Sequence, residues 1–234
     1  AISSRPYFQT LYAAMDEIAD TNNDFTSPYL HANPNGKPAY VVIAGDRGLA
    51  GGYNNNILKL AYSQMEEGAA VLPIGKKAVE YFKRKNVTVI TESYAEAASV
   101  SIGDCYTIAK MLADGFLDGS FGKLTLGYTN FVSMLSQTPS TLDLLPLRVS
   151  TEKRPSQNTI LYEPGSVPEY LGGVLYGALC ESTASEQAAR RTAMDSATKN
   201  ADEIIDDLNL RYNRARQGAI TQEITEIVAG AEQS

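Results

Sequence analysis

Met194-Asp195-Ser196-Ala197-Thr198-Lys199-Asn200-Ala201-Asp202-Glu203-Ile204-Ile205-Asp206-Asp207-Leu208 is the stretch on which the fold turns. Met194, Ala197, Ala201, Ile204 and Leu208 follow a three-four rhythm, the spacing that gathers side chains on one face of an α-helix. The seam breaks at Arg211 and resumes at Ala215. Alanines in it let another backbone come close, so a tightly packed helical partner is expected. Outward from this stretch, the helical pattern runs from about 167 to 229, with no proline after Pro168. Pro168 itself sits where a first helical turn accepts proline. At 1.5 Å per residue the helix would be about 90 Å long. Globular helices usually stop before about 25 residues, so a coiled coil or shaft is expected. Opposite charges lie four apart at Glu186 and Arg190, Asp195 and Lys199, Asp207 and Arg211. Such pairs add a few tenths of a kcal/mol each and read as a solvated outer face.

Toward the N-terminus the texture changes. Residues 4–20 read as a helix with Tyr7, Leu11, Met15 and Ile18 on one side, and 20–38 as a connector dense in turn formers. Tyr40-Val41-Val42-Ile43-Ala44 is a short apolar run of the kind found in buried parallel strands. Helices are expected over 56–66, 76–85 and 101–117, the last with Ile108, Leu112 and Phe116 inward. Strands are expected over 70–74, 87–91 and 123–131. Alternating strands and helices imply an α/β fold, a Rossmann-like parallel-type sheet covered on both faces. The expected domains are 1–36, the end of an N-terminal helix and a connector; 37–163, the α/β domain; and 164–234, the long helix.

The chain has 234 residues, 44% of them hydrophobic and 20% charged, an ordinary composition for a folded protein. A formal net charge of -7 argues against a general nucleic-acid binder. Cys105 and Cys180 show neither CxxC nor metal-like spacing and are read as reduced thiols. His31 is the single histidine and lies in a polar connector, which speaks against a histidine metal site or a Ser-His-Asp triad. No apolar run reaches the roughly 20 residues of a membrane span, so membrane association is expected only through partners.

Gly45-Asp46-Arg47-Gly48-Leu49-Ala50-Gly51-Gly52 follows a strand and precedes a helix, the setting of a phosphate loop. Its glycine spacing fits neither GxGxxG nor a P-loop, and Gly75-Lys76-Lys77 fails likewise. Positive φ or the close approach of another backbone is the expected reason for these glycines. Carboxylates such as Asp206 and Asp207, or Glu223 and Glu226, sit on a solvent-washed helix and are rejected as catalytic.

Four phrases of the C-terminal helix carry a family resemblance: Ser185-Glu186-Gln187-Ala188-Ala189-Arg190, Ala193 to Ala201, Tyr212 to Gln217, and Ile220 to Val228. They closely resemble the gamma subunit of F-type ATP synthases, the rotating central stalk. The glycine-rich run 45–56, Tyr128-Thr129-Asn130-Phe131 and Leu161-Tyr162-Glu163-Pro164 are similar to phrases of the same family, so the likeness covers nearly the whole chain. Gly45 stands here for the family's usual serine and Ala50 for its common cysteine.

The resemblance implies a long C-terminal helix in an antiparallel coiled coil with an N-terminal helix, and places Ala1 after most of that helix. It implies a torque-transmitting subunit with no bond chemistry and no cofactor. Its partners would be the alpha and beta subunits of the catalytic head, the epsilon subunit and the membrane c-ring. It implies a peripheral position on the cytoplasmic face of a bacterial plasma membrane. Arg216 and Gln217 would form a catch on a beta-subunit loop, and Ile220, Ile224, Ile227 and Val228 would lie in the greasy bearing of the head. The competing readings are a small α/β nucleotide-binding enzyme, against which the glycine spacing speaks, and an unrelated coiled-coil scaffold, which leaves the glycine-rich phrase unexplained.

Overall fold

The computed structural model describes residues 27–147 and 166–231. The helix expected over 4–20, its pairing with the C-terminal helix, and the 161–164 phrase lie outside the described residues. The chain divides into two compact units, Ala1–Arg191 and Thr192–Ser234.

The first unit is built on a sheet. After a 3₁₀ turn at Pro28–Leu30 come β1 (Lys37–Ile43), α1 (Tyr53–Gln64), β2 (Ala70–Ile74), α2 (Lys76–Arg84) and the short β3 (Thr88–Val89). A second 3₁₀ turn at Ala97–Ser99 leads to α3 (Ile102–Leu117), β4 (Phe121–Phe131) and β5 (Gln137–Leu145). The long helix α4 spans Ser166–Ala231. Strand order is β3-β2-β1-β4-β5. The first three pairings are parallel, and β4–β5 is antiparallel.

Side chains alternate across a strand, and β1 shows how the two faces are covered. Ala39, Val41 and Ile43 face one core with Cys105, Ile108, Leu112 and Phe116 of α3 and Val167, Leu171, Leu175 and Ala178 of α4. Tyr40, Val42 and Ala44 face another with Ile57, Leu58 and Ala61 of α1 and Ala78 and Phe82 of α2. Residues 39–44 are accordingly buried throughout. The apolar run read as a two-sided buried strand is one.

Three elements differ from expectation. α1 begins at Tyr53 rather than 56, because the Tyr53 amide already bonds the Ala50 carbonyl through the turn at Gly51 and Gly52. β3 holds only two residues of the five expected, paired to Ala70 and Val71. β5 was not anticipated: Gln137-Thr138-Pro139-Ser140-Thr141 carries no apolar alternation and includes a proline. As an antiparallel edge strand it stays half-exposed and needs neither.

Candidate functional site

The glycine-rich loop after β1 shows how its setting is used. Asp46 sends its carboxylate between the α2 N-terminus and the 3₁₀ turn at Ala97–Ser99, where Oδ1 accepts from Lys76 N–H at 3.1 Å and from Ala97 N–H at 2.9 Å. Its Oδ2 accepts from Ala98 N–H at 3.0 Å. A helix N-terminus is a ready anion site, and here the chain's own carboxylate occupies it. Asn54 fixes the loop from the other side, accepting from Gly45 N–H at 2.8 Å and donating to the Arg47 carbonyl at 3.0 Å. Gly75 follows β2 at φ +99°, and a Cβ there would strike the Ala44 carbonyl oxygen. Of these glycines only Gly75 serves close backbone approach: Gly45 makes room for the Glu186 side chain, Gly51 takes φ +55°, and a Cβ on Gly48 would meet nothing.

A polar recess of about 240 Å³ lies beside this loop, lined among others by Asp46, Lys76, Glu96, Glu186 and Arg190. Its charges are largely paired: Lys76 with Glu96 at 2.8 Å, and Arg190 with Glu186 at 2.6 Å. Among the described residues no group of His, Cys, Asp or Glu could hold a metal ion.

Glu186 and Arg190 correct one reading of the helix. Their side chains are only 14% and 23% exposed. The carboxylate packs where a Cβ on Gly45 would come within 2.7 Å. The Arg190 guanidinium also reaches the Gly48 carbonyl at 3.5 Å, a long contact. Tyr53 lies buried beneath them, hydrogen-bonded to Ser182, and its phenol is pushed above its ordinary pKa by burial and then by the Glu186 carboxylate. The Asp207–Arg211 pair, at 2.9 Å and more than half exposed on both sides, is the solvated kind that was expected.

In the second unit α4 stands without cover among the described residues. Every described side chain from Met194 to Val228 is exposed. The exposed large apolar groups include the seam residues Met194, Ile204 and Leu208 and the end residues Ile220, Ile224, Ile227 and Val228. Ile227 is 71% exposed. Seam positions Ala197 and Ala201 lie on the same face as Met194. At about 100° per residue, the mean direction of Ile220, Ile224, Ile227 and Val228 is turned by about 145° from that of the seam. By the same count Gln217 lies about 180° from the seam and Arg216 about 80° from it. Arg216 has no acidic partner among the described residues, unlike Arg190 and Arg211.

Sequence reasoning also passed over Ile205, Leu210 and Tyr212, all more than half exposed on this helix. It passed over Ser182 and Ser185 as well, both buried against β4. Two serines three apart, within a run whose other inward positions are Val174, Leu175, Ala178 and Leu179, are the signal that could have marked them.

A family model described as ATP synthase matches residues 1–233. An ATP synthase gamma chain of Ruminococcus albus is 42% identical over 95% of this chain and 82% of its own length. One from Lachnoclostridium phytofermentans is 40% identical over 99% of this chain and 86% of its own. A chain in the Euglena gracilis mitochondrial ATP synthase structure of OSCP, F1 and c-ring superposes with a TM-score of 0.62 at 17% identity, covering 97% of this chain and 89% of that one.

Proposed function

The chain belongs to the ATP synthase gamma-chain family, and we propose that it turns as the central stalk of an F-type ATP synthase and carries torque between an ion-driven membrane ring and a catalytic alpha-beta head. The observation that carries this beyond family membership is the bare helix Met194–Val228, whose apolar groups are exposed on two different faces. Apolar surface of that extent on a helix marks an interaction surface.

The subunit makes and breaks no bonds itself. An asymmetric helix offers each of several surrounding subunits a different set of contacts as it turns. Each subunit's equilibrium then shifts by the difference in contact free energy between its states. Ile220, Ile224, Ile227 and Val228 are the surface for the head's bearing, and Arg216 and Gln217 the catch on a beta-subunit loop. Met194, Ala197, Ala201, Ile204 and Leu208 form the seam for a second helix. The sheet unit meets the epsilon subunit and the c-ring. No helix among the described residues is long and apolar enough to cross a membrane, and attachment to the cytoplasmic face of a bacterial plasma membrane runs through these partners.

The test is reconstitution of the full chain with alpha, beta and epsilon subunits of a relative. The expected result is a stable complex in which ATP turnover requires the beta subunits, while the chain alone hydrolyses nothing. Robust ATP turnover by the pure chain, or failure to enter any complex with the head, would overturn the reading.

A further inference from the structure

The torque proposed above has to pass between the sheet and α4 within the first unit, and apolar packing suits that poorly. Hydrophobic contact is non-directional, so a helix held by Val167, Leu171 and Leu175 alone resists removal better than it resists turning about its own axis. Hydrogen bonds are directional and fix the angle of the helix on the sheet.

Such bonds are concentrated where α4 approaches the first unit's end. Thr129 lies two residues past the last β1–β4 register pair, Val42 with Gly127. Opposite it in β5 is Pro139, which has no N–H to give. Both backbone groups of Thr129 are taken by α4 instead. Its N–H donates to Ser182 Oγ at 3.2 Å, and its carbonyl accepts from Ser185 Oγ at 3.2 Å. All three residues are buried to 2% exposure or less. One turn further on, Glu186 packs on Gly45 and Arg190 ties Glu186 to the Gly48 carbonyl. The loop that carries both glycines is itself anchored through Asp46 and Asn54. At about 100° per residue the four α4 positions lie within about 140° of helix circumference, so they grip one side of the helix from two separate elements.

We infer that Ser182, Ser185, Glu186 and Arg190 form a torsional lock that holds α4 at one angle on the sheet, so that sheet and helix turn together without slip. They are positioning residues, acting through the helix and not on any reacting group, and the inference rests on the stalk reading above.

The test uses the complete synthase reconstituted in sealed vesicles, reading ions pumped per ATP hydrolysed. Two variants perturb the two halves of the lock: the double Ser182→Ala/Ser185→Ala, and the charge swap Glu186→Arg/Arg190→Glu. The swap keeps an i,i+4 ion pair on the helix but removes the guanidinium from Gly48. A helix that slips on the sheet hydrolyses ATP without pumping, so a loss of about twofold or more in the pumping ratio is expected in both variants with ATP hydrolysis retained. Arg190→Lys, which keeps a donor, should recover most of it. Lys77→Gln, which removes the exposed pair with Glu80, should leave the ratio unchanged. Wild-type ratios in both variants would overturn the lock, as would a lowered melting temperature with an unchanged ratio. Should the serine double not assemble, the swap alone decides. Failure of the unaltered chain to assemble would instead overturn the stalk reading.

Discussion

Asp46→Ala tests whether a phosphate-loop setting has been filled from within. The carboxylate accepts three backbone N–H groups, from Lys76, Ala97 and Ala98. Hydrogen bonds to a charged group contribute about 1.5–3 kcal/mol each. The loop is only partly buried, so water takes over some of the lost bonds, and the expected cost is about 2–4 kcal/mol. In a chain of this size that is a fall of roughly 4–16 °C in melting temperature. Asp46→Asn keeps one acceptor oxygen and should cost about half as much. The sharper expectation is chemical rescue. Once the carboxylate is gone, the Lys76 N–H at the α2 N-terminus and the Ala97 and Ala98 N–H groups of the neighbouring 3₁₀ turn are free for an external anion. With a Kd near 10 mM, about 100 mM inorganic phosphate would return about 1.4 kcal/mol to Asp46→Ala. The assay is thermal melting of the full chain and the variant across a phosphate series, with chloride at matched ionic strength as reference. Equal phosphate responses in the two proteins would refute the argument, as would a loss below about 0.5 kcal/mol in Asp46→Ala.

Four further outcomes are expected. Ser101 caps α3 in a reciprocal box with Asp104, so Ser101→Ala should cost about 1 kcal/mol in a urea melt. The Asp104 carboxyl is held below its ordinary pKa by the Ser101 side chain and then its backbone. Its contribution should therefore be present above about pH 4 and fade as pH falls through the lowered value, and Asp104→Asn should flatten that part of the stability profile. Burial pushes the Cys105 thiol up to about 12, so native labelling with maleimide near pH 7.5 should modify Cys180 first and Cys105 only on unfolding. Mass mapping checks the order, and equal rates would contradict the burial argument. Arg216→Ala with Gln217→Ala should leave helix content unchanged, since alanine favours helix, yet lower ATP turnover of the assembled synthase. Arg214→Ala is the charge-removal control, and normal turnover of the double variant at normal assembly would remove the catch.

What could be read in the sequence was what depends on neighbours a few residues away. Tyr40 to Ala44 announced a buried strand because both faces of β1 are covered, and Ile108, Leu112 and Phe116 pointed inward because helical period alone decides that. β5 was missed because an edge strand needs only one apolar face and tolerates Pro139. Glu186 and Arg190 were misread because an i,i+4 ion pair has the same spacing in water as under a loop. Only the chain's return of Gly45 and Gly48, more than a hundred residues away in sequence, buries them. Asp46 was hidden for the same reason, its three donors lying 30 to 52 residues downstream.

The bare part of α4 carries a last consequence. A single helix laid along the seam through Met194, Ile204 and Leu208 covers one face, and the facing residues of a two-stranded coiled coil stay on that face from turn to turn. Ile220, Ile224, Ile227 and Val228 are turned by about 145° from it, so the helix that covers the seam leaves them open. The change of face falls across Arg211 to Gln217, a stretch with three arginines in which the seam has only Ala215 and the end stripe has not begun. On the stalk reading proposed above, one helix would address two different neighbours in succession, a helix along the seam and then a surface that reaches its opposite side. Arg216 and Gln217 stand at that change of face. Gln217 points with the end residues and away from the seam, where a polar contact can form without displacing the packed helix.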